Sequence, residues 1–179
     1  MMRASKSKRW IAALGILSST ALLPASPQPN AAWDKLKTLV GDWKGAYAGA
    51  DEGGGAGGMD EVRISYRLVS NGTALMETMD SGHDTSMITM YHLDGSRILA
   101  THYCAAGNQS RMAAAALSPD GKTLAFRFVD ASNVTPDSEV MQGVVVTFDG
   151  PDRFQQAWTS RTGAKGKDQV GTFTYSRVR

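Results

Sequence analysis

Alternating apolar and polar residues dominate the chain from residue 43 onward. The alternation is clear in Leu124-Ala-Phe126-Arg-Phe128 and again over 169–178, with the two-residue period of a strand that has one buried face. Turn sequences such as Asn71-Gly72 and Asp94-Gly95 separate the alternating runs. The pattern predicts ten strands, near residues 43–48, 61–69, 73–80, 85–92, 97–104, 111–117, 123–129, 140–148, 153–160 and 170–178.

One short helix is predicted before the first strand. Trp33, Leu36 and Leu39 recur at spacings of three, which places them on one helical face over residues 32–40. Gly41 ends the helix, as glycine commonly does at a helix C-terminus. Strands and turns account for the chain after this one helix, so the fold class is all-β, and most of the connections are tight turns. We predict a closed ten-stranded antiparallel up-and-down barrel with a short N-terminal helix, because closure removes exposed strand edges. An open sandwich is the alternative.

The N-terminus combines a basic stretch with a short apolar run. Arg3 to Arg9 precede the apolar residues 10–23, and small residues and prolines follow. That order is typical of a secretory signal peptide, and the run is shorter than the ~20 residues that cross a bilayer. We predict a signal peptide over 1–25 (cleavage between 21 and 31), a linker over 26–31 and one domain over 32–179. The mature protein is expected to be periplasmic or secreted without a stable membrane span, and an uncleaved anchor is the alternative.

Charge excludes one class of partner. The chain has 19 basic and 17 acidic residues, but removal of the four basic residues of the signal peptide leaves 15 against 17 and a net charge of −2. Such a chain has no electrostatic basis for coating nucleic acid. Cys104 is the only cysteine, so no intrachain disulfide forms. Its thiol is either a buried apolar group or a reactive site.

The junction of helix and first strand carries a motif, Leu39-Val40-Gly41-Asp42-Trp43. It resembles the calycin superfamily, which comprises lipocalins, fatty-acid-binding proteins and nitrobindin-like barrels. The resemblance implies that Gly41 and Trp43 are structural and that Trp43 packs at the closed end of the barrel. It also implies that Arg177 from the last strand, or else Arg179, lies across the indole in a cation–π contact. The ten strands look more like the fatty-acid-binding and nitrobindin branch, and residues 90–111 resemble uncharacterised secreted bacterial domains of lipocalin-like kind.

The densest group of titratable side chains lies in the predicted hairpin over 86–104. If Asp94-Gly95 is a two-residue turn, Leu93 faces Ser96 and Met87 faces His102. The alternation then gives one face the side chains of Met87, Thr89, Tyr91, Ile98, Ala100, His102 and Cys104.

His102 and Cys104 are the candidate catalytic residues. They project to the same side of one strand, and a neighbouring imidazole activates a thiol. They would also supply two ligands to a metal, but no third or fourth histidine or cysteine lies at a supporting spacing, so no metal site is predicted. His83 lies in a predicted turn, and it approaches His102 and Cys104 only if the loop that carries it folds toward them.

Tyr91, His102, Cys104 and Arg111 are the candidate ligand contacts. Arg111 begins a predicted strand, and the resemblance to fatty-acid-binding proteins implies that it points inward and holds a carboxylate. Arg127 alternates with two phenylalanines and is predicted to face solvent. The methionines of the middle strands suit a cavity for apolar ligands and equally suit simple core filling.

The sequence therefore predicts an exported barrel that binds a small, mainly apolar or amphipathic molecule in its interior. The alternatives are an enzyme that acts on a ligand in the same cavity through His102 and Cys104, and a filled barrel that serves as an interaction module. No cofactor is predicted. Haem is not expected, because nitrobindin-like haem proteins place the ligating histidine near the C-terminal end and no histidine follows His102.

Overall fold

The computed structural model describes residues 30–49, 62–80 and 86–179. The predicted signal peptide and His83 lie outside these residues. The described part holds one α-helix, one 3-10 turn at Ser70–Gly72 and ten strands. Their bounds are α1 Ala31–Lys37, β1 Gly41–Gly49, β2 Val62–Val69, β3 Ala74–Asp80, β4 Met87–Asp94, β5 Arg97–Tyr103, β6 Gln109–Ala114, β7 Thr123–Ser132, β8 Glu139–Phe148, β9 Arg153–Thr162 and β10 Asp168–Arg177.

The strands form a closed antiparallel barrel. Each strand pairs with the next along the chain, and β1 also pairs with β10, from Trp43↔Arg177 to Gly49↔Gly171. The predicted fold class is confirmed, and the strand bounds lie within three residues of those predicted. Closure leaves no strand of the barrel with an unpaired outer edge along its full length.

Helix α1 covers one end of the barrel. Asn30 caps it by accepting a hydrogen bond from the Trp33 amide at 3.0 Å, so the helix starts one residue before the predicted position. Trp33, Leu36 and Leu39 are buried, as the helical spacing indicates. We call the end that carries α1, Trp43 and Arg177 the closed end. The other end is where β5 finishes and β6 begins.

The register of the β4–β5 hairpin differs from the predicted one. Asp94 pairs with Arg97, so Gly95 and Ser96 form the turn and His102 lies opposite Thr89 rather than Met87. Gly95 has φ +61° at the first central position, which a type II′ turn gives to glycine. The Asp94–Arg97 ion pair flanks that turn. Because the shift is an even number of residues, every side chain stays on its predicted face.

The inward faces of the strands make up the core, which is mostly apolar and aromatic. Aromatic rings dominate near the closed end, where Phe154 lies 4.7 Å from Trp43 and 4.8 Å from Tyr175, centroid to centroid. Within the described ranges, no helix is both long enough and apolar enough to span a bilayer.

Candidate functional site

A row of polar side chains crosses the inner wall of the barrel. Five successive strands, β2 to β6, place these residues at paired positions in the order Tyr66↔Glu77↔Thr89↔His102↔Ser110. All five side chains are buried. We call this set the polar row. Buried polar groups require hydrogen-bond partners, so the partners of each member indicate what the row does.

Glu77 accepts several hydrogen bonds near one end of the polar row. Its Oε2 atom accepts from the Tyr66 hydroxyl at 2.7 Å, the Tyr91 hydroxyl at 2.6 Å and Gln156 Nε2 at 3.0 Å. Gln156 reaches across from β9 and also accepts from Trp158 Nε1 at 3.2 Å. A carboxyl group with three donors on one oxygen is held in a fixed orientation inside the barrel.

Burial dominates the titration of this cluster. Loss of hydration raises the pKa of Glu77, although the hydrogen bonds from Tyr91, Tyr66 and Gln156 act in the opposite direction. Burial, with the nearby Glu77 adding to it, also raises the pKa of Tyr66 and Tyr91 well above the ordinary value of 10.0, so both stay protonated and donate.

His102 lies further along the polar row, toward β6. Its Nδ1 atom is 2.9 Å from the Thr89 hydroxyl, and its ring packs on Trp158 with centroids 4.7 Å apart. Its Nε2 atom is buried and has no hydrogen-bond partner among the described residues. Burial lowers the pKa of His102 to about 4, so the imidazole is neutral at pH 7.

Besides the Tyr175 hydroxyl on β10, two more buried polar atoms lack partners within the described part of the chain, and both belong to the β5–β6 hairpin that carries His102. They are the Ser110 hydroxyl, directly opposite His102 in the β5–β6 ladder, and Asn108 Oδ1, two residues before Ser110. Asn108 Nδ2 donates to the Glu139 carbonyl at 2.8 Å, which fixes the amide. Unpartnered buried polar atoms are rare in folded proteins. Their clustering at His102, Ser110 and Asn108 marks a site able to bond a small polar group.

The barrel wall is interrupted beside this cluster. The β7–β8 ladder ends at Arg127↔Gly143, although β7 continues to Ser132 and β8 begins at Glu139. Register shifts mark both sides of the gap: one in the β6–β7 ladder between Arg111 and Met112, and one in the β8–β9 ladder between Met141 and Gly143. Such bulges bend strands away from their partners. We call the gap the β7–β8 seam.

A groove of about 380 Å³ lies along the seam. Its apolar lining includes Phe128, Val129, Val134 and Val140, and Arg161 and Asp130 lie among its polar residues. Ala131 on β7 pairs with Ser110, so the groove lies one strand away from the unpartnered hydroxyl.

The predicted ligand contacts occupy different places. Tyr91 points inward, but its hydroxyl already bonds Glu77. Cys104 lies just beyond β5, is partly buried, and makes no hydrogen bond to His102 Nε2. Arg111 does not point inward as expected. The β5–β6 register pairs it with Thr101, on the face opposite to Ser110, and the exposed guanidinium binds Asp130. Arg127 is exposed, as predicted.

The closed end has the geometry that the resemblance implies. The Arg177 guanidinium lies over the Trp43 indole at 4.0 Å, and Trp43 Nε1 donates to the Leu39 carbonyl at 2.7 Å. Gly41 has φ +133°, and a Cβ atom there would lie 2.7 Å from Arg177 Nη1. Glycine is therefore required by both the backbone and the close approach of the arginine.

Sequence reasoning missed Glu77, Gln156 and Ser110. Glu77 was available as an acidic residue on the apolar face of Leu75-Met-Glu77-Thr-Met79, and Gln156 as an amide between Phe154 and Trp158. A polar residue in register with apolar ones is the signal of a buried polar group. Ser110 gives no such signal, because serine is common on both faces of a strand.

Comparisons with known proteins concern the fold alone. No protein-family profile matches the chain, and no curated protein matches it. The structure of Rv2717c from M. tuberculosis is similar, with a TM-score of 0.60 and 15% identity over 87% of this chain and 100% of that one. A protein of unknown function from the DUF3598 family of Nostoc punctiforme PCC 73102 gives 0.58 and 16% over 80% of this chain. This chain spans about half of the Nostoc protein, 48% of its length.

In the described ranges, no three His, Cys, Asp or Glu residues are grouped to hold a metal ion.

The buried neutral His102 predicts acid sensitivity. Its pKa falls from 6.5 in the unfolded chain to about 4 in the fold, so the unfolded chain binds more protons between these values. The free energy of unfolding should therefore fall as pH drops from 6.5 toward 4, by up to about 3 kcal/mol from this group. Urea unfolding at half-unit pH steps measures the slope.

His102→Phe should remove that part of the slope, because phenylalanine keeps the ring on Trp158 and does not titrate. His92→Phe, on the exposed face of β4, is the matched control for replacing a histidine ring by phenylalanine. Equal slopes for wild type and His102→Phe would contradict the prediction.

Proposed function

We propose that the protein binds a small, mainly apolar molecule inside the barrel, with the polar group of that molecule at His102 and Ser110. The observation that carries the proposal is the pair of buried, unpartnered atoms, His102 Nε2 and Ser110 Oγ, on adjacent strands of the inner wall. Interior sites of this kind join a largely apolar lining to a few fixed polar groups.

The surroundings of these two atoms favour an apolar body for the ligand. Met112 follows Ser110 on the same face of β6, and Trp158 packs on His102. Met141 on β8 is partly buried against the core. Thioether and aromatic side chains adapt to apolar molecules of varied shape.

The β7–β8 seam supports a route to the interior. Neighbouring main-chain groups are not paired across it, and its groove is lined by partly exposed apolar side chains such as Phe128 and Val129. Opening this gap breaks fewer ladder hydrogen bonds than separating any fully paired strands of the barrel.

Two further parts of the proposal concern family and location. Membership of the calycin superfamily is supported by Gly41, by the Arg177–Trp43 stack and by the closed ten-stranded meander. Export to the periplasm or medium is supported by the order of basic, apolar and small residues over 1–25. N-terminal sequencing of the protein from its own host tests export, and an intact Met1 would contradict cleavage.

The binding proposal is tested with full-length protein and one-chain probes. Native mass spectrometry of protein from its host should show a retained apolar mass, and NMR titration with 1-octanol, octanoate or methyl octanoate should shift the Trp158 indole signal. A bare polypeptide mass together with no shift from any probe at millimolar concentration would contradict binding.

A substitution inside the barrel distinguishes a barrel that binds a ligand from one whose interior is filled by its own side chains. Ala100 is fully buried, faces inward and pairs with Met112, so Ala100→Phe should block probe binding with little loss of stability if space is present. In a filled barrel the same change would cost about 1–3 kcal/mol by overpacking, and wild type would bind no probe. Ala125→Phe, on the exposed face of β7, is the matched control.

Turnover of a probe, lost in Cys104→Ser, would support the catalytic alternative instead.

A further inference from the structure

We infer that the interior site is shallow and takes a molecule with a short apolar body rather than a long-chain lipid. The inference rests on the proposed function and names the size class of the ligand of the same site. Two features carry it: side-chain contacts that cross the barrel on the closed-end side of the site, and the short length of wall on the opposite side.

The polar row runs obliquely from the closed end toward the opposite end of the barrel. Beyond Tyr66 it continues to Gly41, the first residue of β1, and at its other limit Ser110 is the second residue of β6. Tyr66 and Glu77, which bond each other, therefore lie nearer the closed end. The unpartnered atoms of His102 and Ser110 lie nearer the end where β5 finishes.

Gln156 makes the first contact across the barrel. It lies on β9, which is four strands from β3 in one direction around the barrel and six in the other. Its Nε2 atom nevertheless donates to Glu77 on β3 at 3.0 Å and to the Tyr66 hydroxyl on β2 at 2.9 Å. Because all three side chains are at most 2% exposed, these hydrogen bonds form a buried bridge through the interior.

Trp158, two residues further along β9, makes the second contact. Its ring lies 4.7 Å from the ring of His102, centroid to centroid, although β5 is also four strands from β9. Its Nε1 atom donates to Gln156 Oε1 at 3.2 Å, which joins the two contacts. We call the joined set the cross-barrel layer, and its members are Tyr66, Glu77, His102, Gln156 and Trp158.

Aromatic side chains fill the space between the cross-barrel layer and the closed end. Phe154 lies 4.7 Å from Trp43, 4.8 Å from Tyr175 and 5.9 Å from Tyr66, measured between ring centroids. None of these four rings is more than 1% exposed. Protein interiors are packed as densely as organic crystals, so a ligand chain extends in this direction only by displacing a ring.

The opposite side of the layer has a lining that suits an apolar body. Met87 and Met141 face inward there, because they pair with the inward-facing Met79 and with Ser160, two residues after Trp158 on β9. Both methionines are only partly buried against the core. Flexible thioether side chains adapt to apolar molecules.

The wall on this side is short. His102 is the last residue but one of β5, and Ser110 is the second residue of β6. The strands that hold the polar contacts therefore extend about two residues past them, roughly 7 Å. With C–C bonds of about 1.5 Å in a zigzag chain, this length covers about five or six carbons.

The test measures affinity along a series of primary alcohols that share one polar end. Full-length protein with isotope-labelled methionine methyl groups is titrated by NMR with 1-butanol, 1-hexanol, 1-octanol and 1-decanol, and the Met141 signal reports binding. Each methylene that leaves water should tighten binding about fourfold. We expect this gain from 1-butanol to 1-hexanol, and a gain of less than about twofold at each later step of the series.

Trp158→Phe tests the cross-barrel layer, because the smaller ring leaves room for further carbons beside His102. The gain of about fourfold per methylene should then continue to 1-octanol. Trp33→Phe is the matched control: Trp33 is also 6% exposed, but it lies on α1 at the closed end, and its replacement should leave the series as in wild type. Circular dichroism confirms that each variant folds.

Met87→Ala tests the side of the layer on which the chain lies. Loss of the thioether should weaken 1-hexanol binding at least about fourfold, the contribution of one buried methylene. Met90→Ala, on the opposite face of β4, is the matched control and should change this affinity less than about twofold.

The outcomes separate this inference from the proposed function. A gain of about fourfold per methylene that continues to 1-decanol in wild type would overturn the shallow site and leave interior binding standing. The same holds if a folded Trp158→Phe variant gives the wild-type series, or if Met87→Ala and Met90→Ala weaken 1-hexanol binding equally. Failure of all four alcohols to bind would overturn both proposals.

Discussion

Replacing Glu77 with leucine is expected to lower the free energy of unfolding by roughly 3 kcal/mol or more. The change leaves the Tyr66 and Tyr91 hydroxyls and one Gln156 amide proton without their shared acceptor inside the barrel. Each buried donor that loses its partner costs about 1–3 kcal/mol. Urea unfolding followed by circular dichroism measures the loss.

Glu77→Gln should behave differently, because an amide oxygen still accepts the three hydrogen bonds. The fold raises the pKa of Glu77 above its ordinary value of 4.5, so the carboxyl contributes its stability at low pH and loses it as pH rises through the folded pKa. Relative to wild type, Glu77→Gln should therefore gain stability as pH increases above 4.5. This slope is opposite in sign to that of His102, and the two variants separate them.

The exposed Glu139 at the start of β8 supplies the control. Glu139→Leu removes one carboxylate from solvent and should change stability by no more than about 0.5 kcal/mol. A Glu77→Leu variant that is as stable as Glu139→Leu would contradict the view that Glu77 organises the interior.

Much of the barrel could be predicted from the sequence because each strand satisfies local rules. The two-residue alternation and the turn sequences are sufficient to place ten strands. A ten-stranded meander has few ways to avoid exposed edge strands. The β4–β5 register could not be fixed in that way. Asp94-Gly95 and Gly95-Ser96 are both acceptable turns, and the choice depends on the Asp94–Arg97 pair and on pairing with neighbouring strands.

For a related reason, the sequence predicted only the part of the candidate site that lies in one hairpin. Alternation correctly placed His102, Thr89 and Tyr91 on one inner face, since a hairpin is a local structure. Glu77 and Gln156 meet across the barrel, 79 residues apart, and their contact depends on closure. The outward direction of Arg111 follows from its position next to Ser110 in the β5–β6 ladder, which a motif resemblance does not include.

Truncation of Arg177 to alanine is expected to destabilise the protein by about 2–4 kcal/mol and to release helix α1 from the closed end. Arg177 donates to the Thr38 carbonyl at 2.9 Å and to the Val40 carbonyl at 2.9 Å, just after the helix. It also donates to the Pro151 carbonyl at 3.1 Å and covers the Trp43 ring. One guanidinium thus ties the end of α1, the β8–β9 turn and the first strand together.

Lysine at position 177 should restore only part of this stability, because a single ammonium cannot reproduce the planar fork that reaches three carbonyls. Arg179→Ala is the matched control: its exposed guanidinium binds Asp152, which Arg177 also approaches, and its loss should cost less than about 0.5 kcal/mol. Thermal unfolding gives the stability of each variant. Amide exchange of Leu36 and Leu39 reports the helix directly, and unchanged protection there in Arg177→Ala would show that packing of Trp33 and Leu36 holds α1 without the arginine.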